Sequence, residues 1–210
     1  MKYIIFDFDG TIADSLDMML ELGNEMADKY GLNKVTHEEL MVLNRLPIKE
    51  RCEKMGIPLY KVPIYFGELV RKCRDKVSSL KLFDGVHELI YQLSQRYKLI
   101  IITSNSTELV KSFLVHHDLL HCFERIESSN SLFGKDVAIK KFIKNTKVDR
   151  SDVLYVGDEF RDIVASKKAG VKIISVAWGY DSYGLLNQGE PDYLVTKPYE
   201  IIEIMNNYSK

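Results

Sequence analysis

From about Lys81 onward, short apolar runs alternate with amphipathic stretches of helical period. This alternation commits the chain to strand and crossover-helix units arranged in a parallel sheet. The runs KYIIF (2–6), KLIIIT (98–103), CFERIE (122–127), VLYVG (153–157), KIISV (172–176) and DYLV (192–195) read as strands. Between them, Val86, Leu89, Ile90 and Leu93 recur at helical spacing, as do Leu109, Val110, Phe113 and Leu114, then Ala138, Ile139, Phe142 and Ile143. These faces are core positions and carry no assigned chemistry.

Residues 16–80 break the rhythm and read as three or four consecutive helices with no convincing strand. Leu16, Met19, Leu20, Met26, Ala27 and Tyr30 form one apolar stripe, with Gly31 as a helix stop. Met18, Met19 and Met26 are expected to fill packing in this segment. Thr36 with Glu39 fits a capping box, Pro47 suits a first helical turn, and Gly56 followed by Pro58 ends that helix. Phe83, Asp84 and Gly85 read as the turn back into the sheet. The expected organisation is a core domain of residues 1–15 and 81–210, interrupted by a small helical domain at 16–80.

At 210 residues the chain has room for one sizeable core with a smaller insert, but not for two large domains. Apolar residues make up 46% and charged residues 28%, which excludes disordered and fibrous classes. A net charge of −1 with interspersed signs offers no basic surface for nucleic acid. The opening MKYIIFDFDG is too short in apolar residues and too acidic for a signal peptide, and no run approaches the roughly 18 apolar residues of a membrane span. Cys52, Cys73 and Cys122 are odd in number and lack a CxxC pair, so free thiols in a reducing compartment, the cytoplasm, are expected.

Chemistry concentrates in Asp7-Phe8-Asp9-Gly10-Thr11, directly after the first strand. In an extended chain, positions i and i+2 point the same way, so Asp7 and Asp9 can project together from the carboxyl end of that strand, where open parallel sheets bind ligands. Neighbouring carboxylates suit a hard divalent cation such as Mg²⁺; the plainer alternative is an Asp-Gly turn. Alone, Ser104 reads as a loop serine beside a helix that Ser106 or Thr107 would cap. Lys135 reads as a solvated lysine after Gly134, and Lys140, Lys141 and Lys144 as the solvated face of the same helix. Asp158 reads as a helix cap, and Asp162 as the partner of a lysine.

The segment DFDGTIADS closely resembles motif I of the haloacid dehalogenase-like phosphatases, which puts those readings in a different light. The resemblance implies that Asp7 is a nucleophile forming an aspartyl-phosphate and that Asp9 is a general acid and base. It also implies that Gly10 and Thr11 help hold phosphate. Ser104, closing LIIITS, matches motif II, which holds the transferring phosphoryl group, with Asn105 beside it. Lys135, in LFGKDVAIKKFIKN, resembles motif III, whose lysine offsets charge on the nucleophile and phosphoryl group. Gly157-Asp158-Glu159-Phe160-Arg161-Asp162 resembles motif IV. The implied Mg²⁺ ligands are Asp7, Asp9, Asp158 and Asp162, the last acting directly, through water, or by orienting Lys135.

The resemblance covers residues 1–15 and about 80–176 and implies a doubly wound, Rossmann-like α/β core with its first strand central, between those carrying motifs II and IV. The layout is most similar to the phosphoglycolate phosphatase-like group, in which the helical insert is a cap; Arg45 is then a candidate for gripping a second anionic group. The implied reaction is hydrolysis of a small phosphorylated metabolite, by a monomer or homodimer, with no nucleic acid or membrane partner. A β-phosphoglucomutase-like mutase is the enzymatic alternative, and a receiver-like phospho-binding protein the non-enzymatic one. Lys54 lacks the context for a phosphonate-cleaving imine. His117, His121 and Cys122 lack further metal ligands and read as structural, and Trp178 and Tyr180 as core or rim.

Overall fold

The computed structural model describes residues 1–44, 46, 48–129 and 134–208, without the side chains of Asn44, Ile48 and Ser78. Strands are β1 (Tyr3–Phe6), β2 (Ala13–Asp14), β3 (Lys81–Leu82), β4 (Lys98–Thr103), β5 (Phe123–Ser128), β6 (Val153–Gly157), β7 (Lys172–Val176) and β8 (Tyr193–Val195). Helices are α1 (Leu16–Tyr30), α2 (His37–Asn44), α3 (Ile48–Met55), α4 (Val62–Lys76), α5 (Val86–Ser94), α6 (Thr107–His116), α7 (Gly134–Thr146), α8 (Phe160–Ala169), α9 (Tyr183–Gln188) and α10 (Pro198–Asn207). Contacts divide the chain into Met1–Asp14 with Lys81–Lys210, and Ser15–Leu80.

The first unit is a doubly wound α/β domain. Its six-stranded sheet runs β5-β4-β1-β6-β7-β8, and every pairing in it is parallel. Strand β1 is central, as expected, with Phe6 opposite Ile101 on one side and Val156 on the other. On one face Ile5, Ile100, Ile102, Tyr155 and Ile173 pack with Ile139 and Phe142 of α7 and Ile163, Ala165 and Ala169 of α8. The alternating residues Ile4, Phe6, Leu99, Ile101, Val156 and Ile174 are equally buried. Burial of both faces is why these strands read as continuous apolar runs rather than as alternations. Edge strand β5 instead carries Glu124, Arg125 and Glu127, charges that discourage pairing with another chain.

The structure departs from expectation at short elements. Strand β5 begins at Phe123 because Leu120–Cys122 forms a 3₁₀ turn. Strands β2 and β3 form an antiparallel pair, Ala13 opposite Leu82 and Asp14 opposite Lys81, too short for an alternation to register. Phe83 N–H then donates to Ile12 O at 3.3 Å, and Gly85, at φ +82°, opens α5.

In the second unit, α1 buries Leu22, Met26 and Ala27, so Leu22 takes the place expected for Leu16 and Leu20, which are only half-buried. Gly31 ends α1 at φ 64°. Tyr30 packs tilted against Tyr65 of α4, ring centres 4.7 Å apart, and Met19 Sδ lies 3.7 Å from Cys73 Sγ. The capping box forms: Thr36 N–H donates to Glu39 Oε2 at 2.8 Å, and Glu39 N–H to Thr36 Oγ1 at 3.2 Å. Asn24 grips the loop before α2 through both N–H and C=O of Val35, at 2.9 and 2.8 Å. Gly56, at φ +72°, follows α3. Arg45 and Pro47 lie outside the described residues. No helix among the described residues is long and apolar enough to cross a membrane.

Candidate active site

The site lies at the carboxyl ends of β1, β4 and β6. Asp7 follows β1, with its N–H bonded to Val156 O at 2.9 Å. The chain then folds back: Ile12 and Ala13 N–H both donate to Phe8 O, and Gly10 N–H to Ala13 O, through Gly10 at φ +75°. Because β1 stops at Phe6, the two carboxylates of the first segment go to different partners. Asp7 Oδ2 accepts from Lys135 Nζ at 2.5 Å, and Asp9 Oδ2 from Asn105 Nδ2 at 2.6 Å.

Lys135, in the first turn of α7, also donates to Asp162 Oδ1 at 2.5 Å and so joins β1 to α8. Asp162 is fully buried, and its Oδ2 accepts the N–H of Glu159, closing the capping box that starts α8. Carboxylate oxygens of Asp7, Asp158 and Asp162 all lie within 4.8 Å of one another, the one group of potential metal ligands among the described residues. Asp9 is not in that group. Asp158 accepts Thr11 Oγ1 at Oδ1 and Tyr180 N–H at Oδ2, each at 2.8 Å. Thr11, grouped from sequence with phosphate-holding residues, donates its hydroxyl hydrogen bond to Asp158 Oδ1.

Glycine makes this density possible. A Cβ on Gly10 would stand 2.0 Å from Asp158 Oδ2, and one on Gly157 would stand 2.5 Å from Asp162 Oδ2. Gly179 belongs to the segment after β7 whose Trp178 and Tyr180 read from sequence as core or rim. There Trp178 Nε1 donates to Thr11 O at 3.1 Å, Tyr180 N–H to Asp158, and Asp181 Oδ2 accepts Phe160 N–H at 2.7 Å. This clamp combines two side chains, the Trp178 indole and the Asp181 carboxylate, with the backbone N–H of Tyr180. The sequence signal available for it was a glycine between two aromatics just beyond a strand.

Burial is the main electrostatic fact. It raises the pKa of Asp7 against the pull of Lys135, with the Asp162 charge adding to the rise. Asp158 is raised well above the usual carboxylate range by burial and then by Glu159, Asp7 and Asp162. Burial opposes the charge on Lys135, but Asp162 and Asp7 together lift its pKa well above the ordinary value, so it stays an ammonium. Glu159, nearly buried and paired through Oε2 with Arg161 Nε at 2.6 Å, is pushed up to about 7, first by burial.

A pH dependence follows. The folded protein holds the Glu159 proton more tightly than the unfolded chain does, so stability is full below the ordinary glutamate range and is lost as pH rises through about 7. Asp7 and Asp158 are shifted in the same direction and add to the slope. In EDTA, urea midpoints are expected to fall between pH 6 and pH 8, and Glu159→Gln to flatten that fall. An unaltered slope in the variant would remove Glu159 as its source.

Ser104 is exposed and lines a cavity of about 260 Å³ with Ser129, Gly134, Lys135 and Arg161. Ser106 caps α6, accepting Leu109 N–H at 3.2 Å. His121 Nε2 is 3.5 Å from Cys122 Sγ and His117 stacks on Phe113, outside the acidic group. The donor set fits a divalent cation of the hard, oxygen-preferring kind. Three buried carboxylates converge, and the one ammonium among them does not balance their charge.

A doubly wound parallel sheet gathers three carboxylates at its carboxyl edge, where open α/β sheets bind their ligands. The chain belongs to the haloacid dehalogenase-like hydrolase family, whose model matches residues 4–176. It is 28% identical over 204 residues to a phosphoglycolate phosphatase of Synechococcus elongatus, covering 97% of this chain and 96% of that one. It is 24% identical over 216 residues to the pyrophosphatase PpaX of Anoxybacillus flavithermus, covering 99% and 98%. A haloacid dehalogenase-like family protein of Streptococcus pneumoniae has the same fold, with a TM-score of 0.86 over 98% of both chains at 19% identity.

Proposed function

We propose that this hydrolase is a Mg²⁺-dependent phosphatase that cleaves a small phosphate monoester through an aspartyl-phosphate on Asp7. The observation that carries the reading is the Lys135 ammonium bridging Asp7 and Asp162, with Asp158 in the same group of oxygens. Relatives named phosphoglycolate phosphatase and pyrophosphatase support it.

In the first step a carboxylate oxygen of Asp7, beside the Lys135 ammonium, attacks phosphorus; the bond to the leaving oxygen breaks, and Asp9 donates the proton that oxygen takes up. In the second, Asp9 removes a proton from water, whose oxygen attacks phosphorus and breaks the bond to Asp7, releasing inorganic phosphate. Ser104 and backbone N–H groups hold the phosphoryl oxygens, and Lys135 offsets their charge. Asp7 and Asp158 would hold Mg²⁺, which would supply further positive charge to the phosphoryl group. Residues 16–80 serve as a cap that supplies substrate contacts, with Arg45 gripping a second anionic group. The three buried cysteines, outside any disulfide, accord with a cytoplasmic setting.

With Mg²⁺, the purified protein is expected to release phosphate from p-nitrophenyl phosphate, and EDTA to lower the rate at least about 100-fold until Mg²⁺ is restored. No hydrolysis, or no response to EDTA, would defeat the proposal. A phosphosugar converted to its positional isomer without phosphate release would favour the mutase instead.

A further inference from the structure

Asn105 carries a contact that a purely phosphate-holding role does not explain. Its Nδ2 donates to Asp9 Oδ2 at 2.6 Å. With Asp9 ionised, the amide nitrogen faces that oxygen, since two oxygens with no proton between them would repel. Its backbone is fixed on both sides: Asn105 N–H donates to Thr103 Oγ1 at 3.0 Å, and Ser106 caps α6. Thr103 is fully buried, and its carbonyl accepts both the N–H and the hydroxyl of Ser129, at 2.7 and 3.0 Å. Asn105 is thus mounted on a rigid corner between strand and helix. Asp9 is half-buried on the turn past the end of β1, where its backbone bridges to Ala13.

A group that first gives and then takes a proton must stay within reach of the reacting oxygen, and small displacements are costly in rate. We infer that Asn105 is a positioning residue for Asp9, holding the carboxyl turned for proton delivery to the leaving group; this rests on the phosphatase reading above. With Oδ2 accepting the amide N–H, the transferable proton belongs on Oδ1. The assignment ties the two segments through the acid itself rather than through the phosphoryl group.

Leaving-group dependence tests it. p-Nitrophenolate departs readily without a proton, whereas the more basic phenolate needs one. Asn105→Ala is expected to lower kcat/KM about 30-fold or more on phenyl phosphate and less than about 5-fold on p-nitrophenyl phosphate. Asn105→Asp keeps the shape but sets carboxylate against carboxylate, and should lose more than Asn105→Ala on phenyl phosphate. Thermal midpoints within a few degrees of wild type would show both variants folded. Equal losses on the two esters, as removal of a phosphoryl contact would give, overturn the inference, as does an Asn105→Asp variant matching wild type on phenyl phosphate. Wild-type protein inactive on both esters overturns the phosphatase reading itself, and the inference with it.

Discussion

Asp7→Asn is expected to lower kcat on p-nitrophenyl phosphate by at least about 10⁴-fold while leaving the protein folded. An amide has nearly the shape of a carboxylate, and its oxygen can still accept the Lys135 N–H that Asp7 now takes at 2.5 Å. It lacks the anionic oxygen that would bond to phosphorus. Burial already disfavours the charged form of Asp7, so a neutral side chain there should not weaken the fold. Thermal melts in EDTA are expected to match or exceed wild type. Activity equal to wild type would remove Asp7 as nucleophile, and gross unfolding would contradict the electrostatic account.

Gly179→Ala is the second large effect. The added Cβ would lie 2.2 Å from Gly10 O and 2.4 Å from both Cβ and Oδ2 of Asp158, which are backbone and buried side-chain atoms with little freedom to retreat. Any relief must move Gly10, Asp158 or the clamp segment. The neighbouring Tyr180 N–H, which holds Asp158 Oδ2, would move with the clamp. A destabilisation of about 2–4 kcal/mol is expected, read as a lower urea midpoint. Loss of kcat/KM by at least about 100-fold should accompany it, since displacing a site group by about an ångström has that effect. Gly184→Ala, where nothing lies within 4 Å of the added carbon, is the control and should be nearly neutral. If both variants behave alike, the tight packing around Asp158 is not what the site depends on.

The main strands were legible because each is buried on both faces and reads as one apolar run, as in Ile4-Ile5-Phe6 and Leu99-Ile100-Ile101-Ile102. Asp7, Lys135, Asp158 and Asp162 were legible as a set through the resemblance of their segments to four family motifs; taken alone, Lys135 read as solvated and Asp158 as a helix cap. Less visible were contacts made by groups that every residue carries. Tyr180 acts on Asp158 through its N–H, Gly179 through the lack of a Cβ, and neither shows in side-chain chemistry. Asn105 drew attention as a neighbour of Ser104, yet its bond to Asp9 spans sequence that no local pattern bridges. Within α1, the stripe was placed on Leu16 and Leu20 because helical spacing alone does not say which of several apolar residues packs inward; packing chose Leu22. Glu159 and Arg161 had no role of their own in the sequence, because their pairing depends on the turn that starts α8.

The short ribbon of Ala13–Asp14 against Lys81–Leu82 holds the outgoing and returning chain side by side. Paired antiparallel backbones lie only about 5 Å apart, so the junction presents itself to the sheet much as a hairpin turn would. The closure entropy of whatever is spliced between those strands grows only logarithmically with its length. Such a junction accepts inserts of many lengths without disturbing the pairing of Ala13 with Leu82 and of Asp14 with Lys81.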